Sequence, residues 1–130
     1  HQFLTFTTPP NLQRAVTYAL GKERAYFEDM RAGFQRGRDR LVAALEGEGF
    51  VTLPAHGAYF VSIDLAASGI EMTDAAFARH AIDHGVATIP YSAFYAAPGA
   101  PALVRLCFAK RDETLNRGAE ALIRAKRALT

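Results

Sequence analysis

The architecture depends on one stretch, Leu103-Val104-Arg105-Leu106-Cys107-Phe108, which predicts a β-strand with two different faces. Because successive side chains point to opposite sides of a strand, Val104, Leu106 and Phe108 share one face. That face is wholly apolar and can close a hydrophobic core. Arg105 lies on the other face, where its charge needs an explanation.

The guanidinium of Arg105 needs a partner, because it cannot lose its charge and its burial alone costs several kcal/mol. Its planar fork of donors suits a carboxylate that accepts two parallel hydrogen bonds. Either the chain supplies that carboxylate, for example from Asp64, or a ligand does. Spacing alone favours the internal ion pair, because structural pairs outnumber binding sites.

Hydrophobic periodicity predicts the element order α-α-β-β-α-β-β-α along the chain. The second helix is long, from about residue 22 to residue 46, and the expected N-caps of the other three are Thr8, Thr73 and Asp112. The predicted strands are residues 50–53, 58–65, 86–90 and 103–108. The fold class is therefore α/β (α+β): a small mixed or antiparallel sheet packed with helices and preceded by a long interdomain helix.

Composition is that of an ordinary globular domain and excludes several classes of function. The 130 residues are 50% hydrophobic and 22% charged, and the net charge of +2 is too small to indicate nucleic acid or a membrane surface as a partner. The single cysteine, Cys107, excludes an internal disulfide and fits a reducing compartment. The chain starts at His1 rather than at a methionine, so we expect it to be part of a longer protein.

Few other residues form recognisable sites. His80 and His84 have the i, i+4 spacing of a zinc pair, but no third ligand follows by spacing, so we expect them to lie at the surface. The chain has no G-x-S-x-G nucleophile motif and no glycine-rich phosphate loop. Phe94 and Tyr95 lie in the loop of residues 91–101, where they either line a pocket or cap the core.

Three blocks of sequence carry a resemblance to a known family. They are HQFLTF at 1–6, GVATIPYSAFY at 85–95 and RLCFAK at 105–110. In this order they resemble the C-terminal part of class I aminotransferases, which are pyridoxal-phosphate enzymes of fold type I. The resemblance covers essentially the whole chain and is closest to the subgroup of kynurenine aminotransferase, glutamine transaminase K and methionine aminotransferase. It implies an aminotransferase small domain at 49–130, with residues 1–48 linking it to a large domain outside this chain.

The resemblance also implies roles for particular residues. The arginine of the family's R-[LF]-C-F block binds the substrate α-carboxylate, and here it is Arg105. The position of Phe6 is one from which an aromatic side chain enters the neighbouring subunit's pocket, and Phe94 and Tyr95 match a segment that lines the substrate site. The Schiff-base lysine and most cofactor contacts belong to the large domain, so we expect no catalytic, cofactor-binding or metal-binding residue in this chain.

The implied function is transfer of an amino group from an amino acid to a 2-oxo acid, with pyridoxal phosphate as the cofactor. The resemblance further implies a cytoplasmic homodimer that binds neither nucleic acid nor membrane. Two alternatives remain open: a β-lyase that acts on cysteine conjugates, and a non-catalytic domain for dimerisation or ligand sensing. The preferred amino acid does not follow from the sequence.

Overall fold

The computed structural model describes residues 8–129, which form two compact units divided between Gly33 and Phe34. The first unit contains α1 and the beginning of α2, and the second contains all the other elements. The helices are α1 (Pro10–Leu20), α2 (Arg24–Glu46), α3 (Asp74–Asp83) and α4 (Asp112–Arg127). The strands are β1 (Val51–Leu53), β2 (Phe60–Asp64), β3 (Ile89–Pro90) and β4 (Leu103–Cys107), and a 3-10 turn spans Tyr91–Phe94.

The helix starts agree with the expected caps only in part. Thr73 caps α3, because its side-chain oxygen accepts a hydrogen bond from the backbone N–H of Ala76 at 3.2 Å. Thr8 is not the cap of α1, since Pro9 occupies that position and Thr8 lies one residue too early. Asp112 is the first residue of α4 rather than its cap. The positive end of the helix dipole stabilises its negative charge there.

The four strands of the second unit form one antiparallel sheet in the order β1-β2-β4-β3. β4 is central, and Arg105 lies directly opposite Ser62 on β2 and Ile89 on β3. This confirms the α/β class and resolves the sheet as antiparallel.

β3 is shorter than the sequence predicts. The predicted strand began at Val86, but the backbone N–H of Val86 bonds to the carbonyl of Ala81 at 3.0 Å and thereby closes the end of α3. Gly85 makes this closure possible, because its φ of 94° is a left-handed conformation that glycine adopts readily. Only Ile89 and Pro90 then remain to pair with β4.

The hydrophobic core lies on one face of the sheet, as alternation along β4 predicts. Val104, Leu106 and Phe108 are at most 7% exposed. They pack in one cluster with residues from α2, α3 and α4, among them Leu45, Phe77 and Leu122. Residues of α2, α3 and α4 therefore cover the apolar face of β4, and Arg105 is on the opposite face.

Thr88 carries a buried hydroxyl that has no hydrogen-bond partner among residues 8–129. A buried polar group without a partner costs about 1–3 kcal/mol, and replacement by an apolar group of the same shape removes that cost. We therefore expect Thr88→Val to raise the free energy of unfolding by about 1 kcal/mol, measured by urea denaturation. Thr52→Val is the control, because the Thr52 hydroxyl bonds to Glu46 and no gain is expected. A loss of stability in Thr88→Val would mean that the hydroxyl is bonded in solution.

Candidate functional site

Arg105 is half-buried between two aromatic rings. Its Cζ atom lies 4.0 Å from the ring centroid of Phe60 and 4.8 Å from that of Phe94. Both distances are within the range of cation–π attraction. Phe60 comes from β2 and Phe94 from the turn after β3, so two separate segments hold the guanidinium in place.

The internal ion pair that spacing favours is absent from the described part of the chain. None of the ion pairs among residues 8–129 includes Arg105, and its buried Nε has no hydrogen-bond partner there. Asp64 lies opposite Leu103 and not opposite Arg105, and its carboxylate accepts a hydrogen bond from the backbone N–H of Ala67 at 2.9 Å. The local turn therefore uses this carboxylate, and the guanidinium keeps its capacity to bind one from a ligand.

Ser62 lies beside Arg105 and bonds to Tyr91, and neither residue was found from the sequence. Ser62 is the cross-strand partner of Arg105, and its hydroxyl is 2.6 Å from the hydroxyl of Tyr91. Alternation along β2 places Phe60 and Ser62 on the same face as each other, but the β2–β4 register is needed to bring both to Arg105.

The aromatic residues of the 91–101 loop differ in what they touch. Phe94 is 60% exposed, and its ring contacts the Arg105 guanidinium. Tyr95 is 50% exposed, and the cation–π contacts of Arg105 within residues 8–129 are with Phe60 and Phe94 and not with Tyr95. The structure therefore brings Phe94 into cation–π contact with the guanidinium, and the role of Tyr95 stays a prediction. Phe6, the remaining candidate, lies outside the described residues.

Asp74 connects the start of α3 to the turn that carries Phe94. It is 5% exposed, and its two carboxylate oxygens accept hydrogen bonds from the backbone N–H groups of Ala75 at 2.8 Å and Ser92 at 2.6 Å. Burial alone would raise the pKa of Asp74, but the hydrogen bonds from Ser92 and Ala75 outweigh it and lower the pKa below its ordinary value.

The ionised Asp74 therefore stabilises the fold at neutral pH. Because the folded-state pKa is below the unfolded-state pKa, this contribution is fully present above the unfolded-state pKa and is lost as the pH falls from there through the folded-state pKa. In the sequence, Asp74 follows the expected cap Thr73 and so lies in the first turn of the helix, where the helix dipole favours its charge. No local pattern indicates its bond to Ser92, which is 18 residues away.

The two candidate zinc histidines bond to the backbone. The Nε2 atom of His80 is 2.8 Å from the carbonyl oxygen of Ala125 at the end of α4, and the Nδ1 atom of His84 is 3.0 Å from the carbonyl oxygen of His80. Between residues 8 and 129 no group of three or more histidine, cysteine or acidic side chains is arranged to hold a metal ion. In the same range, no helix is both long and apolar enough to cross a membrane.

Known proteins match this chain over nearly its whole length. The profile of the family "Aminotransferase class I and II" matches residues 1–122. The methionine aminotransferase of Escherichia coli K12 is 37% identical over 94% of this chain and 32% of its own length. The kynurenine–oxoglutarate transaminase of Dictyostelium discoideum is 29% identical over 98% of this chain and 34% of its own length.

The fold agrees with the solved structure of another aminotransferase. The N-succinyldiaminopimelate aminotransferase from Mycobacterium tuberculosis superposes with a TM-score of 0.83 at 34% identity, over 95% of this chain and 33% of the other. The chain thus spans about a third of the length of the relatives that it matches. With 122 of its 130 residues matched by the family profile, the chain belongs to the class I and II aminotransferases.

Proposed function

We propose that this chain is the part of a pyridoxal-phosphate-dependent aminotransferase that binds the substrate α-carboxylate through Arg105. The whole enzyme would transfer an amino group from an amino acid to a 2-oxo acid. The observation that carries the proposal is the Arg105 guanidinium, which is held between Phe60 and Phe94 and has no ion pair among residues 8–129. Membership of the family supports the reaction class.

The surroundings of Arg105 suit it for orienting a substrate. It stands on the central strand of the sheet, so its backbone is fixed from both sides. The rings of Phe60 and Phe94 offer no strong hydrogen-bond acceptor, so they do not compete for the guanidinium donors. A carboxylate held by two parallel hydrogen bonds has a fixed orientation, and this fixes the position of the neighbouring Cα atom.

Residues 8–129 do not by themselves form a site that fits pyridoxal phosphate. The amine of Lys22 donates to the hydroxyl of Tyr18, and that of Lys126 donates to the carbonyl oxygens of Glu48 and Gly49. Lys110 lines a cleft beside α4. No hydrogen bond or cation–π contact of these lysines involves the residues around Arg105. We therefore place the cofactor, which supplies the electron sink of the reaction, on parts of the enzyme outside this chain.

The remaining assignments extend the proposal to the whole enzyme. Phe94 and Tyr95 would line the substrate pocket, and Phe6 would enter the site of a second subunit in a homodimer. Residues 1–48 would link the large domain to a small domain at 49–130. The enzyme would act in the cytoplasm, which agrees with the single cysteine of this chain.

The function is tested by comparing this chain alone with the full-length protein that contains it. With pyridoxal phosphate, an amino acid and 2-oxoglutarate, the full-length protein should form glutamate, whereas residues 1–130 alone should form none, because they lack the amine that carries the cofactor. Glutamate formation is measured by chromatography. Turnover by residues 1–130 alone would contradict the placement of the cofactor. No amino transfer by the full-length protein, over a panel of sulfur-containing, aromatic and dicarboxylic amino acids, would contradict the function.

A further inference from the structure

The turn that carries Phe94 is only four residues long. It is a single 3-10 turn, Tyr91–Phe94, and the N–H of Tyr95 donates to the carbonyl of Ser92 at 3.2 Å at its end. Short 3-10 segments have poorer hydrogen-bond geometry than α-helix. The strand before it pairs with β4 through only two residues, Ile89 and Pro90. The position of Phe94 against Arg105 therefore depends on contacts from other elements.

Two side chains supply such contacts. Asp74, at the start of α3, accepts the backbone N–H of Ser92 at 2.6 Å, and Ser62, on β2, bonds to the hydroxyl of Tyr91 at 2.6 Å. The bond to Asp74 joins an ionised carboxylate to a backbone donor in a buried place, and charge-assisted bonds are about twice as strong as neutral ones. Ser62 is also the cross-strand partner of Arg105, so the turn is tied to the strand next to the guanidinium.

A simple helix-start role does not account for Asp74. An acidic residue in the first turn of a helix is stabilised by the helix dipole, and the bond from Ala75 N–H to one oxygen belongs to that role. The other oxygen accepts a hydrogen bond from the backbone N–H of Ser92, in another segment of the chain. Thr73 already caps α3.

We propose that Asp74 is a positioning residue, which holds the Tyr91–Phe94 turn so that Phe94 lies against Arg105, and that it thereby sets the affinity for the substrate carboxylate. This inference rests on the proposed function of Arg105. Asp74 itself does not contact the substrate. Its carboxylate acts on the position of Phe94 through the hydrogen bond from Ser92.

The main test variant is Asp74→Asn in the full-length protein. Ala75 and Ser92 donate to different oxygens of Asp74, and asparagine replaces one of these oxygens by an NH2 group and removes the charge, so the bond to Ser92 is either lost or no longer charge-assisted. Asp83→Asn is the first control, because it removes the same charge at the exposed end of the same helix. Thr73→Ala is the second control, because it weakens the start of α3 and leaves the bond to Ser92 in place.

The first readout is independent of activity. Hydrogen exchange of the amides at 91–95, followed by mass spectrometry, should be at least about fivefold faster in Asp74→Asn than in unchanged protein, since a charged hydrogen bond is lost. Exchange of the same amides should be unchanged in Asp83→Asn and Thr73→Ala. Equal exchange in Asp74→Asn and Asp83→Asn would overturn the inference.

The second readout separates positioning from general destabilisation. In Asp74→Asn the KM for an amino acid should rise about tenfold, while kcat changes less than about twofold, because the bound geometry at the reacting atoms is retained once Arg105 is engaged. The KM for the corresponding amine, which lacks a carboxylate, should stay the same. An equal rise for amine and amino acid, or no rise for either, would overturn the inference.

Tyr91→Phe is a second variant for the case in which Asp74→Asn does not fold. It keeps the ring and removes the hydroxyl that bonds to Ser62, so it should change both readouts in the same direction by a smaller factor. Unchanged readouts in Tyr91→Phe would then count against the inference. If the unchanged protein transfers no amino group, the proposed function fails before any variant is made, and the inference fails with it.

Discussion

Arg105→Ala in the full-length enzyme is expected to lower kcat/KM for amino acids by about 10²-fold or more. The change removes a charged, bidentate hydrogen-bond donor and leaves the substrate without its orienting contact. The absorption spectrum of the bound cofactor should be unchanged, because no residue of this chain is proposed to bind it. The measurement is steady-state kinetics on one amino acid and on the amine that lacks its carboxylate. The kcat/KM for the amine should be nearly unchanged by the substitution.

The same variant should change stability little. Breaking a buried ion pair typically costs about 3–5 kcal/mol, because one charge is left behind without a partner. Arg105 has no ion pair among residues 8–129, so its removal leaves no such charge there. The free energy of unfolding of Arg105→Ala should therefore differ from that of the unchanged protein by about 1 kcal/mol or less, mainly from the lost contacts with Phe60 and Phe94.

Arg105→Lys is the conservative variant and should recover only part of the activity. An ammonium keeps the charge but cannot match the planar fork of a guanidinium. One outcome would contradict the proposed role of Arg105 in binding the substrate. If Arg105→Ala unfolded the protein, and the double variant Asp64→Asn, Arg105→Met restored both stability and amino-acid turnover, Arg105 would be a structural residue paired with Asp64.

Phe77→Ala is expected to have the largest effect on stability. The Phe77 ring is fully buried in the core cluster between α3 and the sheet. Removal of such a ring costs the transfer free energy of the lost atoms and leaves a cavity, which together amount to about 3–5 kcal/mol. Since a domain of this size is stable by only about 5–15 kcal/mol, the variant should be close to unfolding. Urea denaturation followed by circular dichroism measures the loss.

Two further variants control this measurement. Ile82→Ala changes a side chain on the same helix that is 59% exposed, so its effect should be below about 0.5 kcal/mol. Phe77→Leu keeps much of the buried volume and should lose clearly less than Phe77→Ala. A loss below about 1 kcal/mol for Phe77→Ala would mean that the core is not packed around this ring in solution.

The two faces of β4 were determined by local sequence. The apolar alternation of 103–108 predicted that Val104, Leu106 and Phe108 are buried, and all three are. The period of a strand is a property of the backbone itself, so no other segment needs to be known to assign the faces. The helices were predictable for the same reason, with differences of a few residues at their ends. The single charged residue in an apolar strand was likewise visible from the sequence.

The partners of Arg105 were decided only by the tertiary structure. Spacing favoured Asp64, but the β2–β4 register places Ser62 opposite Arg105. The carboxylate of Asp64 instead accepts a hydrogen bond from the backbone N–H of Ala67 in the turn after β2. Phe60 and Phe94 reach the guanidinium from segments that lie far apart in the sequence. Register and turn packing depend on many contacts at once, and a sequence pattern of short period contains no information about them.

For Asp74, the position at the start of a helix follows from the sequence, whereas the bond to Ser92 follows only from the tertiary structure. The sequence places it correctly at the start of α3, because helix starts have a local signature. Its second oxygen bonds to Ser92 only because the closed end of α3 at Gly85 and the short β3 bring the chain back to the start of the helix. The sequence thus determined which residues could be charged, buried or capping, whereas long-range packing determined which of them meet around Arg105.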